Sequence, residues 1–137
     1  MTQRIETFRG FVYPWEMDHI GHMNVQFYVG KFDEASWHFL ANFGITPTYL
    51  IENERGVVAV EQNIKYQEEV QSGTLLVIKS ALDYAKKRVI RYKHFMHNAE
   101  SDNQVAEMVL TVVHIDTQTR KSCEFPSNIM DKLRESM

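Results

Sequence analysis

Apolar side chains recur at Tyr28, Phe32, Ala35, Phe39 and Phe43, in steps of four, three, four and four. That spacing lays one apolar stripe along a helix and predicts a long helix over residues 24–43. Asn24 is a good N-cap, because its side-chain oxygen can accept a bond from the amide of Gln26 or Phe27. Gly44 is a natural C′ stop. Ahead of this helix, residues 8–13 are short and apolar-rich, and Pro14 closes them, which predicts a first strand. After Gly56 the period changes. Residues 57–66, 74–82, 88–97 and 105–115 are rich in β-formers or alternate, and they predict four successive strands. The links 83–87 and 98–104 are short, polar and hairpin-like. Residues 45–56 form a bridging segment with Pro47 and a polar turn, Glu52-Asn53-Glu54-Arg55. Phe125-Pro126-Ser127 introduces a short helical tail, with Ser127 as its expected cap. A strand, a long helix and four more strands make an α+β layout. The expected form is a mainly antiparallel sheet of about five strands curled around the helix. The chain shows no repeat and no linker-like composition, so residues 1–137 read as a single domain.

Composition narrows the function classes. The chain has 137 residues and a net charge of −3, which argues against a nucleic-acid binder with a basic face. No apolar run is long enough to span a bilayer. The N-terminus lacks the apolar stretch of a secretory signal. Cys123 is the only cysteine, so no internal disulfide can form, and the expected location is the cytoplasm.

The candidate chemistry lies just before the long helix, in Asp18-His19-Ile20-Gly21-His22-Met23-Asn24. If Asn24 caps the helix, the Val25 amide has no intrahelical partner. A free amide at the positive end of a helix dipole stabilises a developing oxyanion. A carboxylate beside it, Asp18, makes a minimal device for cleaving an ester or thioester. A capped helix after a polar turn is the plainer account of the same residues. His19, His22 and Asp18 resemble part of a metal site, but no further strong ligand is evident, so no metal is expected. His22 is expected to orient substrate or to tune Asp18. Glu61 interrupts a strand-like run: pointing outward it is solvated, and pointing at the helix it needs a partner. Lys86-Lys87-Arg88 is the densest basic cluster and suits phosphate, with Arg the better partner. The chain carries no Gly-x-Ser-x-Gly elbow, Walker loop or dinucleotide fingerprint.

The order of elements and the run Asp18-x-x-Gly21-His22-x-Asn24 resemble hotdog-fold thioesterases of the 4-hydroxybenzoyl-CoA thioesterase type. The resemblance covers nearly the whole chain. It includes Val60-Glu61-x-x-Ile64-x-Tyr66, Glu69-Val70-x-x-Gly73, Lys87-Arg88, Ala106-Glu107, His114-Ile115-Asp116 and Phe125-Pro126. The match is closer to a branch acting on betainyl-CoA. The resemblance implies hydrolysis of a small or medium acyl-CoA, without a cofactor. Asp18 would be nucleophile or general base, and the Val25 amide would polarise the carbonyl. His22, Asn24, Glu61, Lys87 and Arg88 would contact substrate. Trp15, Trp37, Tyr28 and Glu61 are candidates to hold a quaternary ammonium. Some relatives carry a histidine seven residues after the aspartate and a tyrosine four before it; here those positions are Val25 and Pro14. The family also implies a homodimer or homotetramer with sites between subunits. Neither nucleic acid nor membrane is expected as a partner. The alternatives are a hotdog hydratase or dehydratase on enoyl thioesters, an acyl-thioester-binding module without turnover, and a hydrolase acting on carrier-protein thioesters.

Overall fold

A computed structural model describes residues 3–137. Five antiparallel strands form one sheet: β1 (Ile5–Phe11), β2 (Arg55–Tyr66), β3 (Leu75–Lys86), β4 (Val89–Asn98) and β5 (Gln104–Asp116), in the order β1-β3-β4-β5-β2. Three helices accompany it: α1 (Val25–Ala41), α2 (Pro47–Glu52) and α3 (Ser127–Glu135). A single 3-10 turn, Pro14–Glu16, follows β1.

The helix of the sequence reading is α1, and its stripe packs as expected. Tyr28, Phe32, Ala35, Phe39 and Phe43 are all buried. Asn24 caps the helix by accepting from the Gln26 amide at 3.1 Å. Gly44 adopts φ 88°, the left-handed conformation that a chain leaving a helix commonly requires. α1 packs against β1 and β3, and Phe39 reaches across to Tyr92 of β4 at 4.9 Å. The helix thus sits toward the β1 side of the sheet, and the β5–β2 wing carries less of it.

The differences from the expected elements have local causes. β3 and β4 run through the expected 83–87 link and meet in a tight turn at Lys87-Arg88. The segment read only as a bridge contains α2, capped by Thr46 Oγ1 accepting from the Tyr49 amide at 3.1 Å. Ser127 is not the cap of α3; it is the first helical residue, and Pro126 occupies the N-cap position without a side-chain bond. β2 is an edge strand, paired on one side only, and its Val58 and Val60 are 40% and 58% exposed.

A register shift in β2 decides where Glu61 points. Ala59 pairs with Val112, yet Glu61 pairs with Thr111, leaving Val60 as the extra residue. Val112 is core and Thr111 is not. Before the shift, Val57 and Ala59 face the helix; after it, Gln62, Ile64 and Tyr66 do. Plain alternation from Val57 would have carried Glu61 inward; the bulge turns it to the outer face.

Candidate active site

The loop between the 3-10 turn and α1 closes on itself. The Asp18 amide donates to the His22 carbonyl at 3.0 Å, and the Gly21 amide donates to the Asp18 carbonyl at 3.0 Å, with Gly21 at φ 93°. The Met23 amide donates to Val70 O at 2.8 Å, tying the loop to the entrance of β3. The Asn24 amide donates to Glu16 O at 2.9 Å. Glu16 is itself buried in an ion pair with Lys31 of α1. The loop is therefore pinned on both sides, and Asp18 is held by backbone rather than by chance.

The Asp18 carboxylate accepts three kinds of contact. Oδ1 takes the Ile20 amide at 3.0 Å. Oδ2 takes Asn24 Nδ2 at 3.3 Å and lies 3.5 Å from His22 Nε2. Asn24 thus does two jobs: its oxygen caps α1, and its amide nitrogen holds Asp18 against the same helix end. Partial burial pushes the Asp18 pKa up, but the Asn24 and Ile20 donors and the nearby His22 and His19 outweigh it, and the net shift is downward. The carboxylate is ionised throughout the neutral range.

Among the described residues the Val25 N–H has no hydrogen-bond partner. It lies at the first position of α1, and the Val25 side chain is 56% exposed. The expected pair of an ionised Asp18 and an unused helix-end amide is present.

Glu69, quoted in the sequence reading only as part of a motif, joins this cluster. Its Oε1 lies 2.9 Å from His22 Nδ1. With a carboxylate at each ring nitrogen, the His22 imidazolium is favoured. The hydrogen bond to Glu69 leads the upward shift of its pKa, partial burial opposes it, and the charges of Asp18 and Glu69 add to it. No local signal in the sequence pairs residues 22 and 69; the contact depends on how the loop docks on the β3 entrance. His19 is exposed, and no group of three or more His, Cys, Asp or Glu is arranged to hold a metal among the described residues.

Two hollows flank α1 on its β2 side. The first, about 360 Å³, is lined by His22, Val25, Tyr28, Tyr66 and Glu69, among others. The second, about 170 Å³, lies between α1 and the β5–β2 wing and includes Val29, Asp33, Ser36, Trp37, Gln62 and Tyr92 in its wall. Val25, Val29, Asp33 and Trp37 are spaced by four, so they form one ridge leading from the free amide into this chamber. That ridge was visible in the sequence as a second i, i+4 line beside the buried stripe.

The remaining sequence candidates are not brought here within one chain. Glu61 lies on the outer face with Lys65, Arg91 and Lys93. Lys87 and Arg88 lie at the β3–β4 turn, at the opposite end of β3 from the Asp18 loop, and Arg88 Nη1 donates to Ser122 Oγ at 3.1 Å. Trp15 stacks on Tyr13 at 4.4 Å and lines neither hollow. Of the residues considered for an ammonium group, Trp37 is in the chamber and Tyr28 in the neighbouring cleft; the carboxylate beside Trp37 is Asp33, not Glu61.

Residues 12–133 match the family described as the thioesterase-like superfamily. A curated relative, an L-carnitine dehydrogenase/betainyl-CoA thioesterase of Rhizobium meliloti (strain 1021), is 26% identical over 118 residues, 86% of this chain. The chain spans about a quarter of that relative's length, 24%. A Staphylococcus aureus protein solved in complex with CoA superposes with a TM-score of 0.90 at 15% identity, over 99% of this chain and 85% of the other. A 1,4-dihydroxy-2-naphthoyl-CoA thioesterase from Synechocystis superposes at 0.83 with 16% identity, over 97% of both chains.

Proposed function

From the premise that this chain belongs to the thioesterase-like superfamily, we propose that it hydrolyses a small acyl-CoA to the free acid and coenzyme A. One observation carries this reading: an ionised Asp18 is held against the end of α1 where the Val25 amide is unused. The thioester carbonyl oxygen accepts from that amide, and negative charge building on it gains from the helix dipole. Asp18 then works in one of two ways. It attacks the carbonyl carbon, the C–S bond breaks, the thiolate leaves, and water cleaves the resulting anhydride. Or it takes a proton from a water that attacks directly. Each route consumes one water and releases one acid and one thiol. Single turnover in ¹⁸O-water separates them: label found in the Asp18 carboxylate marks direct attack.

The acyl group would occupy the chamber beyond Val29, and the small volume of about 170 Å³ suits a short acid. Ordinary small-molecule pockets run from roughly 300 Å³ upward. Asp33 and Trp37 in its wall offer a carboxylate and an aromatic face to a quaternary ammonium. This supports a betainyl group, as in the name of the Rhizobium relative. The hollow is open along the unpaired edge of β2, where Val58 and Val60 are exposed. A second copy of the chain pairing there would close the hollow and cover those valines. The site is thus read as shared in a homodimer or a homotetramer, located in the cytoplasm, with Lys87 and Arg88 of a neighbouring copy as further phosphate partners.

A thiol-release assay across acyl-CoAs tests the reading. Betainyl-CoA should be cleaved faster than 3,3-dimethylbutyryl-CoA, its uncharged isostere. Absence of thiol release from every acyl-CoA, with acyl-CoA still bound, would make the protein a binding module. Water added across an enoyl-CoA without thiol release would make it a hydratase. Faster cleavage of a carrier-protein thioester than of the same acyl-CoA would change the carrier.

A further inference from the structure

A chain of buried side chains runs from β1 through the sheet to the acyl chamber. Thr7 Oγ1 lies 3.4 Å from Ile78 O and 2.7 Å from Ser80 Oγ. Ser80 Oγ meets His94 Nδ1 at 2.5 Å, and His94 Nε2 meets Ser36 Oγ at 2.8 Å. Tyr92, whose hydroxyl oxygen is buried and has no aligned hydrogen-bond partner, lines the chamber beside Ser36.

The direction of these bonds can be deduced. A backbone carbonyl only accepts, so Thr7 donates to Ile78 O. Thr7 has one hydrogen, so Ser80 must donate to Thr7. The Ser80 oxygen then accepts from His94 Nδ1–H. Burial drives the His94 pKa down to about 3, so the ring is neutral and Nε2 carries no proton. Ser36 therefore donates to Nε2, and toward Tyr92 it has only lone pairs to offer. The Tyr92 hydrogen is therefore drawn toward Ser36, and the Tyr92 oxygen keeps its lone pairs for the chamber. The wall there is electron-rich. Burial is the main cause that raises the Tyr92 pKa; Ser36 opposes it, and the negative charge of Asp33 adds to it.

The Tyr92 oxygen accepts from no side chain of the described residues, and an unmet acceptor in a buried wall calls for a partner that the protein does not supply. A carboxylate-tipped acyl group would meet Asp33 and these lone pairs with repulsion. A hydrocarbon tip would leave the oxygen unmet. A cationic tip satisfies both.

We infer that Tyr92 is a specificity-determining residue of the acyl chamber, set by the Thr7–Ser80–His94–Ser36 relay to present its oxygen to a positively charged acyl end. The inference rests on the hydrolase reading above and deepens it. Isosteres test it. Tyr92→Phe removes only the hydroxyl, and the ratio of kcat/KM for betainyl-CoA over 3,3-dimethylbutyryl-CoA should fall by about five-fold or more. Ser36→Ala removes the acceptor that turns the hydroxyl away, and it should lower the same ratio. A merely structural role would lower both rates together and leave the ratio unmoved. Wild-type protein gives an independent arm: free betaine should inhibit hydrolysis at lower concentration than 3,3-dimethylbutyrate. Thiol release from no substrate at all would remove the hydrolase reading and this one with it. A wild-type preference for betainyl-CoA that survives Tyr92→Phe unchanged would overturn the role of Tyr92 and leave the hydrolase reading standing. A buried water satisfying the hydroxyl would give that same unchanged ratio.

Discussion

His22 and His94 are the same side chain in opposite surroundings. His22 sits at the loop before α1, about a third exposed, with Glu69 at one nitrogen and Asp18 near the other. His94 is fully buried on β4 between two serine hydroxyls. Carboxylate partners raise the pKa of the first; burial among neutral partners lowers that of the second to about 3. The contrast separates chemistry from architecture. A charged imidazole helps keep Asp18 ionised at the helix end, and a neutral one transmits hydrogen-bond direction through the core. Only the neutral ring, with one donor and one acceptor, can link Ser80 to Ser36 in a single sense.

The strongest break at the loop end is Asp18→Asn. It keeps the shape and removes the anion, and kcat should fall by roughly two powers of ten or more, with the melting temperature little changed. Near-wild-type thiol release would remove Asp18 from the chemistry.

At the core end, His94→Leu takes from Ser36 its acceptor and from Ser80 the donor to its oxygen, while Ser80 keeps its bond to Thr7. A buried hydroxyl left without its partner costs about 1–3 kcal/mol, so urea midpoints should drop well beyond the effect of a surface change. A midpoint equal to wild type would show that the relay contributes nothing to stability.

Acid separates the two histidines further. The unfolded chain protonates its histidines near pH 6.5, whereas folded His94 resists until about pH 3. Between those values the unfolded state binds more protons, so this contribution to stability is whole above about pH 6.5 and is lost as the pH falls toward 3. His22 has the opposite sign: its contribution is whole below about pH 6.5 and is lost as the pH rises through its raised folded value. Unfolding free energies should fall less steeply between about pH 6.5 and 3 in His94→Gln than in wild type, and His22→Gln should not show this flattening.

A smaller shift is expected in the rate profile. His22→Gln removes a positive neighbour that holds the Asp18 pKa down. The acid limb of kcat should move to higher pH, while the rate at neutral pH changes by less than about ten-fold. An unmoved limb would show that Asn24 and Ile20 alone set the carboxylate.

The smallest effect is expected at Glu61. On the outer face it lies away from the chamber, so Glu61→Gln should leave the betainyl preference intact, and Asp33→Asn should reduce it. The reverse result would put the cation on the outer face of the sheet, beside Glu61.

Much of this was legible in the chain. The stripe from Tyr28 to Phe43, the Asn24 cap and the Gly44 stop are local matters, decided by 3.6-residue periodicity and by bonds spanning a few residues. So is the hold of Asp18 on the end of α1, because only the tight turn and cap of residues 19–24 separate it from Val25. The fold class followed from the order of periods alone. Glu69, Asp33 and Tyr92 did not follow. Asp33 sat on a readable ridge, but nothing local says that the ridge faces a hollow rather than solvent.

What only the tertiary structure decided are matters of register and docking. One extra residue at Val60 reverses the face of everything after it in β2, and the sequence shows no glycine or proline there to announce it. His22 meets Glu69 across 47 residues, and Ser36 meets His94 across 58. Such contacts depend on where whole elements settle, and many residues together fix that. The sequence by itself determined which elements form and which end of α1 has a carboxylate and a free amide, because those follow from short-range sterics and hydrogen bonding. The packing of helix on sheet determined what surrounds that end, because burial, charge and hydrogen-bond direction exist only once distant strands lie side by side.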